Sequence, residues 1–309
     1  MTRFVLRRCA QGLLVIVGVM AVVFVVTRKV GDPVRLMLPI DAPASARVEL
    51  RHSLGLDASI PVQFGRYVSH AVRGDFGDSL WQHRSALKIV GEHLPNTVKL
   101  TALGMALALV ISIPLGILAA LKPNRILDRV ATTSSLFGLS MPSFWLGLML
   151  ILIFSVWLRW LPTSGNGGFD HMILPAVTLA FPTAGKLTVL TRSAMIDELN
   201  RPWIKVARAK GLSTGRTVAV HALRNASVSV MTVAGWELIR MLAGATILVE
   251  SVFAWPGTGL LALQAVDRHD LFLLQAIVLV VAVITVVLNI IIDVFYQLVD
   301  PRIRMVSHV

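Results

Sequence analysis

Long apolar runs separated by short polar stretches rich in Lys and Arg set the pattern of this chain. Six runs stand out: Gly12–Thr27, Thr97–Leu121, Val130–Leu158, Ile173–Leu190, Val228–Val249 and Leu271–Val299. A hydrocarbon layer of about 30 Å needs about 20 apolar residues per helix, so the pattern predicts an all-α polytopic membrane protein with six spans. The first run is short, and the fourth carries Pro175, Pro182 and Lys186, which leaves a five-span reading open. Within the runs, Gly104 with Ala108, and Ala234, Gly235, Ala243 and Gly244, predict close helix approach; Gly138 precedes a kink expected at Pro142.

The polar stretches divide the chain into three parts. Residues 1–30 form a tail and the first span, 31–96 an external domain, and 97–309 the core, with a cytoplasmic region at 193–227. Within 31–96, Val48–Leu54 and Val62–Val72 read as short amphipathic helices joined by a Gly55-Leu56-Asp57 turn. This part is either a docking surface for a delivery protein or a lid packed over the spans. Residues 200–213 have a clear local design: Asn200 is placed to cap a helix and Pro202 suits its first turn. Arg208 and Lys210 sit at its negative end, and Gly211 suits a left-handed stop. Ser213 is placed to cap the next helix. The segment reads as a rigid knob on the cytoplasmic face, offered to a partner.

Composition agrees with the pattern: of 309 residues, 55% are hydrophobic and 15% charged, which excludes an ordinary soluble domain. The net charge of +12 is spread among loops. Arg3, Arg7 and Arg8 precede span one, Lys122, Arg125 and Arg129 follow span two, and Arg302 and Arg304 follow the last span. The 191–227 loop holds seven Lys or Arg, whereas 159–171 holds only Arg159. The bias puts both termini in the cytoplasm. Basic residues so divided make no nucleic-acid groove. The N-terminus resembles a signal peptide, but Val25-Val26-Thr27-Arg28-Lys29 offers no small-x-small cleavage site, so an uncleaved span is expected. Cys9 is the single cysteine, which excludes an intrachain disulfide.

Catalytic signatures are missing from the sequence. It contains no G-x-x-x-x-G-K-[ST] phosphate loop and no H-E-x-x-H, and its eight histidines are scattered without metal-ligand spacing. Ionisable residues inside the runs are more telling. Glu237 and Arg240 lie about 13 Å and about 18 Å along the fifth run. Each costs on the order of 3 kcal/mol or more facing lipid, so they face a cavity, the bundle interior or each other. Two readings stay open: pathway lining, or an ion pair between helices or subunits. Lys186 is close enough to the cytoplasmic surface to snorkel as an anchor, and Asn289 and Asp293 occupy the inner end of the last run.

A series of short motifs in order covers nearly the whole chain. Arg7-Arg8 and Gly31-Asp32-Pro33-Val34 are followed by Leu54-Gly55-Leu56-Asp57, Pro61-Val62-Gln63-Phe64, Gly74-Asp75-Phe76-Gly77 and Leu94-Pro95-Asn96-Thr97. Then come Met141-Pro142-Ser143-Phe144-Trp145, Leu174-Pro175, Leu190-Thr191-Arg192-Ser193, Leu223-Arg224-Asn225-Ala226, Val249 through Gly257, and Asp300-Pro301-Arg302. In this series the chain resembles the dipeptide/oligopeptide/nickel-type permease subunits of bacterial ABC importers. The resemblance implies the six-helix type I importer permease fold, located in the bacterial inner membrane. It also implies that Lys205, Val206, Ala207, Arg208, Ala209, Lys210, Gly211, Leu212 and Ser213 form the helix that couples to ATPases. In the related Glu-Ala-Ala-x-x-x-Gly pattern, Ala207 and Gly211 match, while Lys205 and Val206 replace the first two positions. Ser229 stands where similar permeases usually carry proline. Glu237 and Arg240 replace mostly apolar positions and, with Asn289, are the pathway candidates.

The implied partners are a second, homologous permease, two cytoplasmic ATPases, an extracytoplasmic substrate-binding protein and membrane lipid. The chain would bind no cofactor itself; ATP and Mg would sit on the ATPases. The implied activity is non-catalytic: half of an ATP-driven pathway for short peptides or a related solute. An ion-driven secondary transporter is the alternative, although it favours inverted repeats and broken midplane helices, neither of which the sequence displays.

Overall fold

The computed structural model describes residues 2–30, 34, 38, 42–53 and 55–299. The Gly31-Asp32-Pro33 motif, Leu54, and the Asp300-Pro301-Arg302 motif with Arg304 lie outside the described residues. The described residues form eleven helical segments: α1 Thr2–Val30, α2 Ala44–Ser53, α3 Ile60–Val72, α4 Ala86–Leu121, α5 Ile126–Ser140, α6 Ser143–Leu150 with the π-helical turns Ile151–Trp157, α7 Phe169–Leu199, α8 Pro202–Ala209, α9 Thr214–Val252, α10 Thr258–Asp267 and α11 Leu271–Val299. Five of these (α1, α4, α7, α9 and α11) are long and apolar enough to cross a membrane.

The expected third span, Val130–Leu158, is the exception. Instead of a kink at Pro142, α5 and the α6 helix with its π turns meet at 105°. The cause is local. Proline disfavours the α conformation for the residue before it, and Met141 takes the extended alternative at φ −83, ψ 126. Pro142 then has φ −62, ψ 130 and starts α6. The pair makes one broken span or a re-entrant turn, which brings the total to six when it is counted as one. Pro175 and Pro182, by contrast, sit inside an unbroken α7, where packed neighbours can take up the freed backbone groups.

Residues 1–96 and 257–290 form one compact unit. Its core joins Met20 of α1, Ile89 and Val90 of α4, Leu261 and Ala265 of α10, and Leu273, Ala276 and Ile277 of α11. The Phe64 ring of α3 meets Phe24 edge-on at 5.3 Å, and the Arg28 guanidinium covers Phe24 at 4.2 Å. Asp270 caps α11 by accepting from the Leu273 N–H at 3.1 Å. The same buried carboxylate accepts from the Ser79 hydroxyl and from the Trp81 N–H at 3.2 Å, which ties the loop before α4 to α11. On the surface, His52 contacts Asp57 at 2.6 Å and His70 contacts Asp75 at 3.0 Å. The His70 hydrogen bond holds the Asp75 carboxyl below the usual carboxylate range, and His52 does the same for Asp57. Burial pushes the Tyr67 hydroxyl up to about 12.

Residues 97–256 and 291–299 form the second unit. Leu100 and Met105 of α4, Leu179 and Leu187 of α7, Met241 and Val249 of α9, and Phe253 and Trp255 after it share one core. Helices α5 and α7 approach closely at Gly185: a Cβ there would stand 2.6 Å from the Ser135 carbonyl oxygen. Of the small residues marked from sequence, Gly104 meets Leu179, whereas Gly244 meets open space. At the end of the same interface, Arg192 donates bidentately to buried Asp128, with Nη2 to Oδ2 at 2.7 Å. The Asn124 N–H also donates to this carboxylate at 2.7 Å. Asp128 thereby fixes the turn between α4 and α5 to α7.

Candidate functional site

Two assemblies in the second unit carry chemistry: the short helix α8 with its stop, and a buried charge cluster between α7 and α9.

Helix α8 begins one residue away from where the sequence suggests. Asn200 ends α7 in a helical conformation, and Arg201, extended at φ −68, ψ 148, precedes α8 without a side-chain cap. The reason is Pro202, which biases the residue before it away from the helical region and, at the first helical position, removes one orphan N–H. The far end of α8 follows the expectation. Gly211 has φ +78, its N–H donates to the Arg208 carbonyl at 2.9 Å, and the Leu212 N–H donates to the Ala207 carbonyl at 3.3 Å. This double bond pattern is the Schellman stop, in which the glycine position is left-handed. Ser213 then precedes the first turn of α9, with φ −63 and ψ 151, and makes no side-chain cap bond.

One side chain seats the helix. Ile204 is fully buried against Ala120 of α4, Met195 of α7, and Val218, Ala222 and Ala226 of α9. Trp203 and Val206 stay about half exposed, at 48% and 54%. Lys205, Arg208 and Lys210 are exposed beside them. The result is a rigid projection with an apolar contact surface in a basic rim.

The second assembly centres on Glu237 of α9, whose side chain is 3% exposed. Lys186 Nζ donates to its Oε1 at 2.6 Å, and Arg240 Nε donates to its Oε2 at 2.7 Å. The Thr183 hydroxyl bridges the group: it donates to Glu237 Oε2 at 3.4 Å and accepts from Arg240 Nη2 at 3.2 Å. Both cations are about half exposed, at 52% and 51% of their side chains. The i,i+3 pairing of Glu237 with Arg240 was legible from spacing. Lys186 was not: instead of snorkelling as an anchor it reaches across to α9. The signal that could have found it is hydrogen-bond capacity, since a buried carboxylate bonded by one cation through one oxygen still has a second oxygen to satisfy. Asn289 lies in the other compact unit and donates to the Thr285 carbonyl of its own helix at 3.0 Å.

Neither assembly resembles a catalytic centre. Among the described residues no group of three or more His, Cys, Asp or Glu could hold a metal ion.

Residues 112–305 match the family described as binding-protein-dependent transport system inner membrane component, and residues 1–101 match its N-terminal counterpart. The chain is 39% identical over 306 residues to the glutathione transport system permease protein GsiC of Salmonella paratyphi A, covering 98% of this chain and 99% of that one. It is 36% identical over 316 residues to the oligopeptide transport system permease protein AppB of Bacillus subtilis, covering 98% and 100%. Among solved structures it shares its fold with an inward-facing MetNI methionine ABC transporter, with a TM-score of 0.59 at 18% identity, over 69% of this chain and 96% of that one.

Proposed function

This chain belongs to the binding-protein-dependent transport system inner membrane components, as a multi-pass permease subunit of an ABC importer, and we propose that it forms half of a pathway for short peptides and receives its drive through Pro202–Ser213. Family membership sets aside the ion-driven secondary transporter. It also implies ATPase and substrate-binding partners. In the proposed assembly a second, homologous permease completes the pathway, and two cytoplasmic ATPases bind the ATP and Mg. The 31–96 part faces outward to receive the binding protein, and both termini lie inside.

The observation that carries the coupling reading is the seat of α8. A push on its exposed face reaches Ile204, and through Ile204 it reaches α4, α7 and α9 together. Because the Schellman stop and Pro202 fix both ends, α8 can move as a body without unwinding. Closure of the ATPases would therefore tilt three spans at once and turn the pathway from inward-open to outward-open. Glu237 and Arg240 of α9, Lys186 of α7 and, by sequence, Asn289 are the polar groups offered to cargo along that pathway.

The test is a single cysteine at position 206 in a Cys9→Ala background, in membranes holding the full assembly. A thiol cross-linker should join position 206, but not position 167, to an ATPase subunit. Cross-linking at 167 with none at 206 would reverse the orientation and remove the coupling assignment.

A further inference from the structure

Lys186, Glu237 and Arg240 carry a net charge of +1 in the middle of helices long enough to span a membrane. An ordinary structural ion pair would balance. Here the carboxylate is buried and both cations are about half exposed, so the excess positive charge is directed outward from α7 and α9. Donors remain for a ligand: the Lys186 ammonium has three N–H groups and gives one to Glu237. The Arg240 guanidinium has five and gives two, to Glu237 and Thr183.

The backbone beside the cluster departs from a regular α-helix on α9, and on α7 a proline withholds one backbone N–H. Pro182 adjoins Thr183 within α7. On α9 the π-helical turn Met241–Ala245 follows Arg240 directly. Such departures in spanning helices are tolerated where they line a cavity or are buried in protein, and π turns gather at functional sites. The exposed positions next to Arg240 are small on one side, Ala243 and Gly244, and aromatic on the other, Trp236 at 61% exposure. A Cβ at Gly244 would meet nothing within 4 Å, and the Arg240 side chain is itself about half exposed.

We propose that Lys186 and Arg240, oriented by Glu237, form a station for a carboxylate of the cargo, its free C-terminus in the case of a peptide, with Trp236 beside it. Glu237 is a positioning residue: it fixes the two cations and lowers their combined charge, so the carboxylate is held without being trapped. Charge-assisted bonds to a carboxylate are the strong class, but a site with a net charge of +2 would bind too tightly for passage. The inference rests on the reading that this chain lines a peptide pathway.

The experiment uses the complete assembly in proteoliposomes, with trialanine and trialanine amide each presented at a concentration that saturates the binding protein. The ratio of their ATP-driven uptake rates is compared for wild type, Arg240→Gln and Lys186→Gln. Because only the permease differs, a change in the ratio reads the permease. Each variant should lower the acid-to-amide ratio by about tenfold, as loss of one charge-assisted bond implies, with complex yield held and Arg240→Lys recovering part of it. An unchanged ratio in both variants overturns the station. So does loss of complex in either single variant that a Lys186→Leu/Glu237→Leu/Arg240→Leu triple restores, since that marks a structural ion cluster. Failure of the wild type to take up trialanine at all would instead sink the peptide reading.

Discussion

The α8 projection and the Glu237 cluster lie in the same unit and solve opposite problems. The projection keeps almost everything outside and is held by one buried isoleucine and a left-handed glycine. The cluster keeps its carboxylate inside and lets two cations out. Shape in the first depends on backbone conformation, which neighbours barely influence: a Cβ at Gly211 would touch nothing within 4 Å. Shape in the second depends on charge balance across two helices, so no single residue determines it. The proposed lever and the proposed cargo station are thus stabilised by different physics, and they should fail differently.

The largest failure is expected where a buried charge is stranded. Lys186→Leu with Arg240→Leu leaves Glu237 buried without a cation, which should cost about 3–5 kcal/mol. The yield of detergent-stable complex should collapse. Adding Glu237→Leu should recover most of it, because an apolar replacement of the whole cluster removes the stranded charge. A double variant as stable as the wild type would show that Glu237 reaches water, and the contrast between the two regions would disappear.

Next in size is the seat of the projection. Ile204→Ala should cost about 2–4 kcal/mol locally. Its effect should stay around α8, as faster hydrogen exchange there with the cluster unaffected. ATPase stimulation by loaded binding protein should fall while the complex still assembles. Loss of protection throughout the unit would mean that Ile204 is a general core residue instead of a hinge seat.

The third test separates backbone from packing. Helix α9 ends in the same Schellman pattern as α8, but with Ala254 at φ +47 in the glycine position. There the Trp255 N–H donates to the Glu250 carbonyl at 2.9 Å and the Ala254 N–H to the Ser251 carbonyl at 3.4 Å. Buried Phe253 and Trp255 on either side hold that stop in place, whereas Gly211 has no such support. Gly211→Ala should therefore cost about 1–2 kcal/mol, the usual left-handed penalty, and Gly211→Val more. ATPase stimulation should decline in the same order, with insertion unchanged. Normal coupling in Gly211→Val would refute the view that this stop sets the lever.

These cases also explain what was legible beforehand. Pro202, Gly211 and the i,i+3 pair are encoded within one turn of chain, and all three read correctly. Asn200 misled because proline's effect on its predecessor, Arg201, outranks a capping side chain. The break at Met141-Pro142 was foreseen as a kink; its angle of 105° depends on two consecutive extended residues, Met141 and Pro142. Lys186 with Glu237, and Arg192 with Asp128, join residues 51 and 64 positions apart. Nothing local announces such partners. Apolar periodicity locates helices, but which polar side chains meet is decided only when the helices pack.

The smallest effect belongs to the exposed counterpart of the cluster. Asp75 bonds His70 at 3.0 Å, as Glu237 bonds its partners, yet both side chains are about 60% exposed. Exposed pairs are worth under about 1 kcal/mol, so Asp75→Asn should barely change thermal stability at pH 7. The asparagine oxygen can still accept from the Gly77 N–H that Asp75 Oδ1 receives at 3.1 Å, which preserves the turn. The acid side is where a difference should appear. The His70 hydrogen bond lowers the Asp75 pKa, so the stability it adds is fully present above the unfolded carboxylate range, near about 4, and is lost as pH falls through the lower folded value. Thermal unfolding followed from pH 6 down to pH 3 should therefore fall slightly more steeply for wild type than for Asp75→Asn. A cost at pH 7 as large as that of stranding Glu237 would show that burial is not what separates the two sites, and that the same charge chemistry carries the same weight on the surface as between the spans.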